Sequence, residues 1–409
     1  MQTDDKLLSF LNARLAPSLE LLRQMVGINS HTLNPDGVKR LGLFTAEAFA
    51  ELGFHAEFIR SVKPEFGEHL VLTRPGTGMQ KVGLISHLDT VYSAEEEARN
   101  DFRWRVEGDR IYGPGTDDIK GGTVMMHLVL SALRELAPEV FAQTNWVLLL
   151  DASEEMECAD FGRLCCERLN GATAALVFEG GRQNGNEFKF VASRKGRATF
   201  RVEVEGRGAH AGSEHPRGAN AITQLAHIVQ RIAALTDAAR GLTFNVGTIT
   251  GGTALNRVPH AAVARLEMRA FTPDVYQAGL AQLRTLENDI VVRSVADGFP
   301  CRVKIIIEHE TPPWPRNDAT DALLKIFSDA GTELGFTVAR EDRGGISDGN
   351  FIWQVVPTLD GLGPKGDNSH CSERSADGSK DQEYIERSAI IPKAALNVKA
   401  LLRLLGVPR

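Results

Sequence analysis

The chain has 409 residues, 43% of them hydrophobic and 24% charged, with a formal charge of −7. That length exceeds one ordinary core, so two domains are expected. The acidic balance argues against a nucleic-acid partner, and no run of about 18 apolar residues offers a membrane span.

Met1-Gln-Thr-Asp-Asp-Lys6 is acidic where a secretory leader would be basic. The five cysteines are Cys158, the adjacent Cys165 and Cys166, Cys301 and Cys371. They form neither a disulfide framework nor a C-x-x-C zinc pattern, so a reducing, cytoplasmic setting is the expectation. Helical spacing of apolar residues predicts an amphipathic helix over 7–26, interrupted near Pro17. A second helix is predicted over 38–52, stopped by Gly53. Strands are predicted at 54–59, 70–73 and 82–85, then a helix over 120–136. Two apolar strands follow, 146–150 ending at Asp151 and 174–178 ending at Glu179. This alternation predicts an α/β domain with a mixed, mostly parallel sheet flanked by helices.

The pattern changes near Lys195-Gly196. Residues 198–205 alternate, with Phe200, Val202 and Val204 set against Arg201, Glu203 and Glu205. That is the mark of a sheet with one wet face. A helix over 219–235, strands over 242–250 and 261–270, a helix over 273–292 and a strand over 303–308 complete a β-α-β-β-α-β order. This is a small two-layer, ferredoxin-like arrangement. Pro312-Pro-Trp-Pro315 marks the return, after which helices over 319–334 and 389–405 resume the first style. The expected division is a catalytic domain of 1–195 and 311–409 with residues 196–310 inserted in it. Hinges are expected near Lys195-Gly196 and Pro312. Residues 374–382 are polar and turn-rich, as in a surface loop.

Chemistry-bearing residues collect at the predicted strand ends, where α/β sheets bind their ligands. His87 and Asp89 follow one strand; a carboxylate behind a histidine can fix its tautomer for metal binding. Asp117 and Asp118 lie in a glycine turn before Lys120-Gly-Gly122, either as cation ligands or as an acidic N-cap. That turn lacks the Gly-Lys-Ser/Thr ending of a phosphate loop. Glu154 and Glu155 follow the 146–150 strand; adjacent residues point apart, so one can bind metal while the other acts as a base. Glu179 ends another strand, and His370 lies in the loop after Gly366. Two imidazoles and several carboxylates, with no thiolate, suit zinc, cobalt or manganese. The donor count allows two metals bridged by one carboxylate and a water.

With these motifs in order, the chain resembles the zinc metallopeptidase family of glutamate carboxypeptidase, aminoacylase, acetylornithine deacetylase and succinyl-diaminopimelate desuccinylase. His87-Leu-Asp89, Gly115-Thr-Asp-Asp118-Ile-Lys-Gly-Gly122, Glu154-Glu155, Glu179 and His370 carry the likeness. Gly208-Ala-His210-Ala-Gly212, Asn256-Arg-Val-Pro259 and Ser347-Asp-Gly-Asn350 extend it over nearly the whole chain. The resemblance implies two zinc ions bridged by Asp118. His87 and Glu179 would complete one site, and Glu155 and His370 the other. Asp89 would orient His87, and Glu154 would be general base and then acid. His210 would reach the partner subunit's site in a homodimer built through the inserted domain. Asn256, Arg269 and the backbone at Gly363 would grip a substrate carboxylate.

The implied reaction is hydrolysis of an amide beside a free carboxylate, in a small peptide or an N-acyl amino acid. Gly344-Gly-Ile-Ser-Asp348 and Asp360-Gly-Leu-Gly363 lean toward the glutamate carboxypeptidases. Deacylases and dipeptidases of the same family are the alternative, and a non-catalytic dimeric binding protein the remote one. Two segments depart from the pattern. Glu310-Thr-Pro-Pro313 stands where an arginine-proline pair is usual, and the 374–382 loop is long.

Overall fold

The computed structural model describes residues 2–156 and 159–407, so Cys158 lies outside the described residues. Among the described residues, Cys165, Cys166, Cys301 and Cys371 are free thiols. The chain divides into two compact units. One comprises Met1–Ala192, Arg316–Asp342 and Ser347–Arg409, and the other Ser193–Pro315 with Arg343–Ile346. Among the described residues no helix is long and apolar enough to cross a membrane.

The larger unit is α/β. Its six-stranded sheet runs His55–Arg60, Glu68–Arg74, Asn145–Asp151, Lys81–His87, Ala174–Val177 and Thr358–Leu359. The first two pairings are antiparallel and the remaining three parallel. Six of the seven residues are buried in both Lys81–His87 and Asn145–Asp151. A strand buried on both faces needs helices on both sides. Leu70, Leu72, Val82, Leu84, Leu148 and Leu150 face one core, shared with residues of helices Gln2–Val26, Lys120–Leu136 and Arg387–Leu404. Val71, Ile85, Val147 and Leu149, one position along, face a second core with Phe161 and Ile352. Parallel pairing in register brings His87 and Asp151 to the same end of the sheet.

Two details set the position of that end. Gly122, in the first turn of Lys120–Leu136, lies so close to the Phe178 carbonyl oxygen that a Cβ would overlap it. The helix start is thereby pressed against the strand end that carries Glu179. A small antiparallel sheet of Gly366–Asp367, Tyr384–Glu386, Arg110–Tyr112 and Arg105–Glu107 links the late loop to the glycine turn.

The expected break at Pro17 is absent: one helix spans Gln2–Val26 with Pro17 inside it. An interior proline costs about 3 kcal/mol. Burial of Leu7, Leu11, Leu22, Met25 and Val26 along the packed face offsets it.

The smaller unit is a two-layer β-α-β-β-α-β fold. Its antiparallel sheet is ordered Thr243–Gly251, Ala261–Ala270, Gly196–Glu205 and Arg302–Thr311. Ala198, Phe200, Val202 and Val204 share a core with residues of helices Ala221–Ala233 and Pro273–Thr285. The second helix ends earlier than its apolar pattern predicts, passing through a short turn at Leu286–Asn288. The reason is the buried Gln224. Its Oε1 accepts the Val291 and Val292 amides, each at 2.9 Å, and its Nε2 donates to the Asp289 carbonyl at 2.8 Å. A side chain thus holds the backbone where a further helical turn would otherwise run.

Candidate metal centre

His87 ends its strand with a buried ring. Its Nδ1 lies 2.9 Å from the Asp89 carbonyl oxygen and 3.4 Å from Asp89 Oδ1. Those acceptors hold a proton on Nδ1 and leave Nε2 as the ligating nitrogen. Nε2 faces Asp118 Oδ1 at 2.9 Å and Glu179 Oε1 at 3.8 Å. The second imidazole, His370, places Nε2 3.3 Å from Asp118 Oδ2 and 3.0 Å from Glu155 Oε2. Two donor groups result, His87–Asp118–Glu179 and Asp118–Glu155–His370. In each, the three donor atoms lie within 4.8 Å of one another. Asp118 belongs to both, with one oxygen toward each imidazole.

Asp89 does more than stand behind His87. Its Oδ1 accepts the Glu154 amide at 3.1 Å, and its Oδ2 accepts the Glu155 amide at 3.2 Å and the Thr32 hydroxyl at 2.7 Å. One buried carboxylate therefore sets both the His87 ring and the start of the Glu154-Glu155 loop. Sequence reasoning missed Thr32, which lies 57 positions away and carries no local signal. It also missed Glu383, whose carboxylate accepts the Asp117 and Asp118 amides. Asp117 itself accepts the Ser369 hydroxyl at 2.7 Å.

The electrostatics are those of crowded buried carboxylates. Burial raises Glu154 well above the ordinary range, and the charges of Glu179, Glu155 and Asp118 add to the rise against the opposing His87. Burial and the Asp118 charge push Glu155 up to about 7. Asp118 is held below its usual range because hydrogen bonds from His370 and His87 outweigh its burial. Hydrogen bonds to Asp118 and Glu155 lift His370 to about 11. Like charges gathered out of water oppose one another until a cation joins them. Glu155 Oε1 is buried without a hydrogen-bond partner among the described residues. An unsatisfied carboxylate oxygen in a cluster of nitrogen and oxygen donors fits a divalent metal of the zinc, cobalt or manganese type.

The remaining candidate residues are placed as follows. Gly363 lies against the same strand end, its amide donating to the Glu179 carbonyl at 2.9 Å. His210, Asn256 and Arg269 belong to the smaller unit. The Gly212 and Ser213 amides both donate to His210 Nδ1 at 3.1 Å, which places the ring proton on Nε2 as an outward donor. The Asn256 carbonyl accepts the Ala211 amide at 2.9 Å, so Asn256 neighbours that histidine loop. Arg269 is held by both Glu267 oxygens at 3.0 Å and donates to the Gly344 carbonyl at 2.9 Å.

Residues 192–290 match the peptidase dimerisation domain family. The chain is 26% identical over 377 residues to carboxypeptidase G2 of Pseudomonas sp. (strain RS-16), covering 91% of this chain and 85% of that protein. The chain is a homologue of carboxypeptidase G2 and of acetylornithine deacetylase. Both relatives are named for hydrolysis of C–N bonds, one as a carboxypeptidase and the other as a deacetylase. The chain's fold is also that of aminopeptidase PepT from Bacillus cereus ATCC 10987. The TM-score is 0.75 at 20% identity, covering 95% of this chain and 98% of that one. The YXEP protein of Bacillus subtilis, described as a dinuclear metal binding peptidase, superposes with a TM-score of 0.65 at 13% identity. That match covers 97% of this chain and all of the other.

Proposed function

We propose that the chain is a dinuclear zinc hydrolase that cleaves an amide beside a free carboxylate, as a carboxypeptidase does. The observation that carries this reading is the sharing of Asp118 between two donor groups, with Glu154 in the charge field of both. His87 and Glu179 would hold one ion, Glu155 and His370 the other, and Asp118 both. Zinc held there, or cobalt or manganese in its place, supplies a water of lowered pKa and a Lewis acid for the amide carbonyl.

The chain's own residues do the rest. Glu154 accepts the water proton on its carboxylate and passes it to the leaving nitrogen, so that water adds across the amide to give an acid and an amine. Asp89 keeps His87 in the ligating tautomer and sets the backbone from which Glu154 projects. Residues 196–310 serve as the dimerisation domain inserted between the catalytic segments 1–195 and 311–409. His210 then acts on the partner's substrate through its Nε2–H. Asn256, Arg269 and the Gly363 backbone grip the substrate carboxylate, with Arg269 already oriented by Glu267.

Glu154→Ala is expected to lose at least ~100-fold in rate while keeping its metal, measured by steady-state hydrolysis and metal analysis. Full activity in that variant refutes the assignment. A screen of dipeptides and N-acyl amino acids, varied on each side of the scissile bond, separates carboxypeptidase from deacylase or dipeptidase action. Sedimentation of the purified protein tests the dimer.

A further inference from the structure

A second buried carboxylate stands behind the shared ligand. Glu383 is fully buried, directly after the 374–382 loop. Its Oε1 accepts two neighbouring backbone amides, Asp117 at 2.8 Å and Asp118 at 3.2 Å. Its Oε2 accepts the hydroxyl of buried Tyr92 at 2.6 Å. The Glu383 backbone is held as well. Its amide donates to the Cys371 carbonyl at 2.9 Å, and its carbonyl accepts the Gly113 amide at 3.4 Å. One residue therefore joins the chain next to His370 to both ends of the 113–118 turn.

A buried carboxylate is expensive unless hydrogen bonds satisfy it, and here each one comes from a group that frames the metal centre. Tyr92 lies just beyond His87 and Asp89, and the two amides belong to the Asp117-Asp118 pair. The arrangement parallels Asp89, which accepts the amides of the Glu154-Glu155 pair. Each adjacent acidic pair at the centre is thus held from behind by one buried carboxylate, through consecutive backbone N–H groups.

We propose that Glu383, supported by Tyr92, is a positioning residue that aims the two oxygens of Asp118 at separate metal ions. It acts through the amides of Asp117 and Asp118 and touches neither substrate nor metal. The proposal rests on the dinuclear reading above. Partners that orient metal ligands typically contribute about 10–100-fold in metal affinity. The 374–382 loop acquires a role from this. Its two ends, Cys371 and Glu383, pair with each other, so the loop closes where His370 and the Asp118 turn meet.

The test is zinc titration of metal-depleted protein by competition with a chromophoric chelator, with urea unfolding of each metal-free form alongside. Glu383→Leu removes every acceptor and is expected to weaken zinc binding about 10–100-fold while the metal-free protein remains folded. Glu383→Gln keeps Oε1 for the two amides and offers its side-chain N–H₂ to the Tyr92 oxygen, so it is expected to stay within about 3-fold of the parent. A folded Glu383→Leu that binds two zinc ions as tightly as the parent overturns the positioning role, as does a Gln variant as impaired as Leu. If the Leu variant does not fold, Tyr92→Phe decides. It removes one hydrogen bond and keeps the ring against Phe102, so about 2–5-fold weaker zinc binding is expected and unchanged binding overturns the proposal. A parent protein that takes up no zinc overturns the functional reading as well. A zinc-binding parent with insensitive variants overturns only the role of Glu383.

Discussion

His69 gives the most quantitative test of how this protein holds together the sheet end that carries His87 and Asp151. It lies buried on the Glu68–Arg74 strand, with Nδ1 3.0 Å from Asp151 Oδ1 and Nε2 3.2 Å from Asp160 Oδ2. Asp160 also accepts the Ser61 hydroxyl and the Val62 amide, each at 2.9 Å, which ties the edge of the sheet to helix Ala159–Leu169. Burial alone lowers the pKa of His69, but the hydrogen bonds and charges of Asp151 and Asp160 outweigh it and raise the ring to about 9. A folded-state pKa above the unfolded value means that folding takes up a proton. The stabilisation is therefore complete below pH 6.5 and is lost as pH rises through 9. A rise from 6.5 to about 9 corresponds to ~3 kcal/mol. His69→Phe keeps an aromatic ring against Phe161 and removes the charge. Urea unfolding of metal-depleted parent and variant at pH 6 and pH 10 should show the parent's advantage shrinking by ~3 kcal/mol between the two conditions. The Ala152 amide, 3.1 Å from Nδ1, favours a neutral ring instead. A pH-independent difference would mean that this amide wins over the two carboxylates, and the linkage argument would be wrong.

Two further outcomes follow from the same geometry. Asp89→Asn turns an N–H₂ toward at least one backbone amide that now meets an acceptor, so zinc affinity or kcat should fall about 10–100-fold. Parent-like values for both in the purified variant would sink the role given to Asp89. Removing metal with a chelator should lower the thermal midpoint, and added zinc should restore it. Binding at about 1,000 times Kd is worth ~4 kcal/mol, and an unchanged midpoint on depletion would count against a metal bound to the folded state alone.

The contrast between local and long-range information runs through the molecule. Strand identity was legible because a short apolar run with polar flanks is a local property, as is the alternation of its side chains between two faces. Leu148 and Leu150 face one core and Val147 and Leu149 the other, whatever the rest of the chain does. The same holds for the alternation of Phe200, Val202 and Val204, and for Gly122, which lets Lys120–Leu136 approach the Phe178 carbonyl. Local pattern misled where a distant group competed for the backbone. Gln224 takes the Val291 and Val292 amides out of a helix that their apolar spacing would extend. Packing of the Gln2–Val26 helix likewise overrides a proline that reads as a break.

The sequence by itself determined the kinds of donor atom and the strand ends from which they project, because side-chain chemistry and strand period belong to single residues and their neighbours. It could not determine which oxygen faces which nitrogen. That Asp118 turns one oxygen to His87 and the other to His370 was decided by chain closure between segments far apart. The carboxylate that accepts the Asp118 amide comes from a residue 265 positions away. A buried glutamate and an exposed one are written with the same letter, and only tertiary packing removes the water that would otherwise satisfy Glu383.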